Sequence, residues 1–151
     1  MKKVAMVLLS LVGSMNAYGY DAEDLRQLIQ TKSCSHCELR DANLSSLDLS
    51  NANLREARLD GSNLSSANLR KANLWGANLK GANLTSAILD NADLSYARIT
   101  DVKASGLSAR NANFLGANLR GSDFTNADFT GANLIFANTA NTNLGDAING
   151  K

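Results

Sequence analysis

The sequence has no proline, one histidine, one tryptophan and two cysteines. Aromatic residues make up only 5% of it. So few rings cannot fill a wide globular core, and the interior must be assembled from small and medium side chains. The formal net charge is +1, too small to draw in nucleic acid or an anionic membrane surface. One histidine leaves too few ligands for a zinc centre, and no nucleophile–base pair or phosphate-binding loop is legible. What remains is one domain's worth of folded chain, 44% hydrophobic and dominated by Ala and Leu.

The opening residues read as a secretory signal peptide. Lys2 and Lys3 supply the positive start, residues 4–13 the apolar run, and Ser14 to Gly19 the small-residue segment, with cleavage after Ala17 or Gly19. An apolar run this short falls well below the roughly 20 residues needed to cross a bilayer. Removal of residues 1–19 takes away two lysines and leaves 13 basic against 14 acidic residues, a net charge of −1. The expected location is therefore an exported one, the periplasm or a thylakoid lumen or outside the cell, with no membrane span after cleavage.

Beyond this segment the chain repeats every five residues. Centres at Leu39, Leu44, Leu49 and onward to Leu144 number (144 − 39)/5 + 1 = 22, without a break in phase. Fifteen are Leu, three are Phe (Phe114, Phe124, Phe129), and the others are Ile99, Ala104, Ala109 and Thr139. Two residues before a centre, 15 of 22 positions are Ala; one before, 16 of 22 are Asn or Asp. No regular element has this period. A five-residue step carries successive leucines around an α-helix by about 500°, and on a strand it sends every second one to the opposite face. The chain must turn within each repeat. Asn and Asp side chains can bond the local backbone there, and glycines such as Gly61, Gly76 and Gly116, two residues after a centre, suit a positive φ.

Runs such as Ala72-Asn73-Leu74 and Ala77-Asn78-Leu79 resemble the A(D/N)LXX signature of pentapeptide repeat proteins. The resemblance covers residues 37–146. It implies an all-β solenoid, a right-handed quadrilateral β-helix with four repeats in each 20-residue coil. The 110 residues then make 5.5 coils, a shaft roughly 26 Å long at about 4.8 Å between stacked strands. Residues 20 apart should stack. Ala104 and Ala109 then lie next to Phe124 and Phe129, with Val102 and Leu107 in place of the usual Ala, so that large side chains offset small ones.

A β-helix leaves its core open at both ends. Residues 20–36 are expected to close the first. Asp21 suits an N-cap, Glu23 and Asp24 the first helical turn, and Leu25, Leu28 and Ile29 form an apolar stripe over Asp21 to Thr31. Cys34-Ser35-His36-Cys37 follows. Glu38 stands where a c-type haem motif needs His, which leaves a structural disulfide, suited to an exported protein, or a redox-active thiol pair. Some exported pentapeptide repeat proteins look similar here, with a Leu-rich helix and a CxxC before the first repeat, which favours capping. Residues 147–151 form a short tail. Thr139 weakens the last coil, no second helical cap is expected after Leu144, and an open end near Phe114, Phe124 and Phe129 suits end-to-end homodimerisation or a frayed monomer end covered by the last few residues.

The expected function is that of a non-enzymatic scaffold in the cell envelope, with no cofactor and with an unidentified protein or envelope component as partner. A redox-responsive role for Cys34 and Cys37 is the alternative. A topoisomerase-binding DNA mimic, a role some members of the family have, is disfavoured by the charge balance and the export signal. The ladder Ser45, Ser65, Thr85, Ser105, Thr125 is read as side-by-side packing on a stacked face. The candidate partner surface is one face of the coil, with core centres Leu54, Leu74, Leu94, Phe114 and Leu134. Its outward residues include Trp75, Tyr96, Leu115, Ile135 and Phe136. The adjoining face carries Arg58, Lys80, Arg98 and Arg120, with Asp60 and Asp101 between them. An apolar stripe with a charged border resembles an interaction site; the competing reading is a stripe that covers itself, Trp75 lying over Gly76 and Tyr96.

Overall fold

The computed structural model describes residues 19–144; the expected signal segment up to residue 18 and the tail at 147–151 lie outside the described residues. The chain enters through one helix, α1 (Ala22–Thr31). It then runs into a parallel ladder of bridges 20 residues apart, from Ser33↔Asn53 to Asp123↔Asn143. That interval makes four five-residue repeats to a turn of the coil.

One repeat shows why the period is stable. Ala72 N–H donates to Leu69 O and closes a four-residue turn at 3.0 Å. Asn73 N–H donates back to Ala52 O, in the preceding coil. Leu74 and Gly76 N–H donate forward to Asp93 O and Ser95 O, in the following coil. Trp75 N–H, which faces no strand, donates to the side-chain oxygen of Asn73 at 3.0 Å. All five donors are satisfied, as buried backbone requires. Where an Asn or Asp precedes the centre, as at 16 of 22 repeats, it is thus placed to be the fifth acceptor, as Asn43, Asp48 and Asp123 also are.

The turns fix the backbone too. Every fifth residue from His36 to Asn141 has positive φ, (141 − 36)/5 + 1 = 22 positions, of which only seven are glycine. A positive φ at the third residue is the demand of a type II turn.

Every centre from Leu39 to Phe129 is buried, together with the Ala column beside it. A fully buried Leu contributes roughly 1.5–3 kcal/mol. Phe124 and Phe129 meet edge to face at 5.2 Å, and Phe129 meets Phe114 at 5.5 Å. Ala104 and Ala109 are fully enclosed, which is where the sequence puts small centres next to large ones. The same region holds the one irregular turn of the shaft beyond the first. The buried Ser122 hydroxyl donates to Ile99 O at 2.6 Å and accepts from Val102 N–H at 3.1 Å, standing where a direct turn bond would form.

At the first end α1 lies on the coil. Asp21 caps it, its carboxylate accepting from Glu23 and Asp24 N–H, and Leu25 and Leu28 are buried in the shaft's own core. Asp21 N–H donates to Glu38 O, and Asp24 carboxylate accepts from Glu38 N–H, both at 2.8 Å. The ladder begins one repeat before the register of leucines does. Asn53 N–H donates to Lys32 O and Cys34 N–H to Asn53 O, so Cys34 holds a core centre and Cys37 the Ala position after it. The two form a disulfide. It spans residues that elsewhere close the turn through a hydrogen bond, and no such bond joins Cys37 N–H to Cys34 O among the described contacts.

Candidate partner-binding face

The coil stacks Arg55, Trp75, Ser95, Leu115 and Ile135 in one column and Glu56, Gly76, Tyr96, Gly116 and Phe136 in the next, at the corner. All five stripe residues therefore stand on one side of the shaft. Three of them, Tyr96, Ile135 and Phe136, are the large hydrophobic residues exposed among the described residues, at 59%, 58% and 88%. Trp75 and Leu115 are half-buried.

Trp75 is held from both sides. The Arg55 guanidinium carbon lies 4.0 Å from its ring centre, close enough for cation–π attraction. Tyr96 meets it at 5.9 Å with the planes 65° apart. Arg55 in turn pairs with Glu56 at 3.1 Å. The Tyr96 ring reaches over Gly116, where an added Cβ would come within 2.8 Å of Cε1; Gly116 leaves the room for that ring. Trp75 is thus covered partly by the chain itself, through Arg55 and Tyr96. Tyr96 and Phe136 are not covered. Both sit at positive φ, 59° each, a conformation that a bulky side chain adopts only at a cost. The 20-residue coil puts Arg55 and Trp75 in one column, but their stacking is a matter of side-chain geometry that the sequence reading missed.

Charges sort by region. Near the capped end, Arg58 pairs with Glu38 at 3.2 Å, and Arg40 with Glu38 and Asp60 at 3.2 and 3.9 Å. His36 lies 3.4 Å from Glu56. Lys32 reaches Asp48 at 3.1 Å. Hydrogen bonds from the Ser50 hydroxyl and N–H, joined by Lys32, lower the Asp48 carboxyl to about 2. Thr130, through its hydroxyl and its N–H, and then Arg110 do the same for Asp128, also to about 2. These carboxylates are structural acceptors. The hydroxyl ladder is engaged likewise, Thr85 and Thr125 donating to Asn83 and Asp123 at 2.7 and 2.6 Å.

No group of His, Cys, Asp and Glu among the described residues is arranged to hold a metal. No described helix is long and apolar enough to cross a membrane. Cys34 and Cys37 are 0% and 5% exposed, so the disulfide lies inside the cap, away from solvent.

A family model for pentapeptide repeats matches residues 37–76, 67–106 and 97–134. Among solved structures, a pentapeptide repeat protein from the cyanobacterium Cyanothece 51142 shares 26% identity, with 80% of this chain and 92% of that one covered and a TM-score of 0.50. One from Nostoc PCC 7120 shares 30% identity over 85% of this chain and 98% of its own, with a TM-score of 0.29. One from the Arabidopsis thaliana thylakoid lumen shares 32% over 59% and 69%, with a TM-score of 0.29. No curated protein matches. The match indicates no catalytic family and supports a structural or protein-interaction module. With its 20-residue coil and Asn-buttressed turns, this right-handed quadrilateral β-helix belongs to the pentapeptide repeat family.

Proposed function

We propose that the protein is a non-enzymatic scaffold of the cell envelope whose Trp75–Phe136 face docks a partner protein. One observation carries the reading: among the described residues, the exposed large hydrophobic side chains gather on one face, and two of them occupy positive-φ positions. Repeat folding has no use for Tyr or Phe there. Fifteen of the 22 such positions hold a residue other than glycine, and the remaining thirteen of those are polar or charged. Strain held at a surface site points to a use for that site. The envelope location rests on the signal-like opening residues and on the Cys34–Cys37 disulfide, a bond that persists in oxidising compartments.

The test is the Trp75→Ser, Tyr96→Ser, Phe136→Ser triple variant, expressed with the full chain in its native cell. It should fold as the wild type does and lose the partners recovered by cross-linking from the envelope fraction. Retention of every association would reduce the stripe to ordinary surface. Recovery of the uncleaved protein, with Met1 intact, in the cytosol would remove the envelope role.

A further inference from the structure

Seven of the twelve described Lys and Arg residues enter ion pairs: Arg26, Lys32, Arg40, Arg55, Arg58, Arg70 and Arg110. Of the five that do not, Lys80, Arg98 and Arg120 share a single face, the one that adjoins the stripe across the Tyr96 corner, and they lie in three successive coils. All three are exposed. Residues 18 apart touch repeatedly on this solenoid, as Asn78 does Asp60 and Arg110 does Asp128, and Lys80 and Arg98 stand in that same relation. The register thus makes neighbours of two like charges, an unfavourable pairing, while Asp60, next to Lys80 in its column, is engaged by Asn78 and Arg40. Asp101, at the far corner of the face, forms no ion pair with any of them.

One polar group of this face is out of reach. Thr100 lies between Lys80 and Arg120 in their own column and is 8% exposed. Its buried hydroxyl has no hydrogen-bond partner. That hydroxyl is closed to solvent, so of these three only the Lys80 and Arg120 side chains can meet a ligand.

We propose that Lys80, Arg98 and Arg120 form a carboxylate-binding site, and that the partner is an acidic polypeptide whose apolar side chains lie on the Trp75–Phe136 stripe while its carboxylates reach around the Tyr96 corner. The proposal rests on the docking role given to the stripe. It adds the partner's chemistry: cationic and neutral polar segments gain nothing from this face, whereas an acidic one neutralises the unpaired cations.

Calorimetric titration of the folded protein tests it, with three synthetic peptides as probes: a glutamate peptide with leucine at every third position, the same peptide with lysine for glutamate, and the same with serine for leucine. The Leu–Glu peptide should bind, more weakly as NaCl rises, and the Leu–Lys peptide should not. Lys80→Gln, Arg98→Gln, Arg120→Gln should weaken it by roughly tenfold while the melting curve stays unchanged. Equal binding of the glutamate and lysine peptides, unchanged affinity in the charge variant, or no binding of the Leu–Glu peptide overturns the site. The stripe fails separately if the Ser–Glu peptide binds as tightly as the Leu–Glu peptide and the serine triple variant binds both like wild type.

Discussion

The two ends of the shaft receive the same core and treat it differently. At the first end, Leu28 is 0% exposed under α1, Asp21 caps the helix, and a disulfide closes the opening turn. At the other, Leu134 and Leu144 are half-buried and Thr139 stands exposed at a core centre. A solenoid is a stack of nearest-neighbour interfaces. Its stability at each level therefore depends on what lies above and below, and the difference between the ends should appear as a gradient of local stability along the axis.

The largest expected effect lies between the ends. Leu74→Asp puts an unpaired charge into a fully buried centre, at a cost of several kcal/mol; the far-UV circular dichroism should lose its folded signature. A soluble variant with the wild-type spectrum would sink the inward assignment of the centres. Next, Leu28→Ala at the capped end should lower stability by about 3 kcal/mol. Leu134→Ala at the open end should cost less than about 1.5 kcal/mol, because part of that side chain is already in water. Urea midpoints compare the two, and equal losses would erase the contrast between the ends. Cys34→Ser with Cys37→Ser should remove about 2 kcal/mol or less, since the closed loop is short. Thiol titration of the denatured, unreduced wild type should find no free thiol; two would reject the bridge in the native protein.

The smallest effect is the most informative about function. Phe136→Gly exchanges an 88% exposed ring at positive φ for the residue best suited to that backbone. Relief of strain is offset by the greater freedom of glycine in the unfolded chain. Thermal stability should be unchanged or rise by roughly 1 kcal/mol. A loss of more than that would mean that Phe136 serves the fold.

Much of this was legible in the sequence, for physical reasons. A five-residue period with Leu at the centre and Ala two before it admits only a chain that turns in every repeat, and α1 announced itself through Asp21 and the Leu25–Leu28–Ile29 stripe. The register of leucines hid the true start of the ladder. Lys32-Ser33-Cys34 has neither the Ala nor the Leu of its successors, yet backbone bonds to Asn53 place it in the coil. Glycine spacing hinted at positive φ but understated it, because residues such as Glu56, Lys71 and Tyr96 adopt it as well; the ladder bonds on both sides leave them no other conformation. The stripe residues could be assigned to one face from the coil period. The stacking of Arg55 on Trp75 and the orphan Thr100 hydroxyl depend on side-chain geometry that no spacing encodes.

The backbone bonds of a single repeat also give the shaft a direction. Between adjacent coils, Leu74 and Gly76 N–H point one way and only Asn73 N–H points back. Each repeat therefore turns two donors and one carbonyl acceptor toward the C-terminal end, and two acceptors and one donor toward the start. The axial polarity is opposite to that of an α-helix, whose free N–H groups lie at its N-terminus. If two copies met at their C-terminal ends, each facing pair of repeats would bring 2 + 2 donors to 1 + 1 acceptors. Main-chain pairing there leaves half the donors unmatched. A symmetric end-to-end dimer has to be held by side chains such as Leu134 and Leu144, whereas a head-to-tail contact satisfies every ladder group and has no natural stopping point. By supplying its own terminal contacts at Tyr20, Asp21 and Asp24, the α1 cap blocks that open-ended growth.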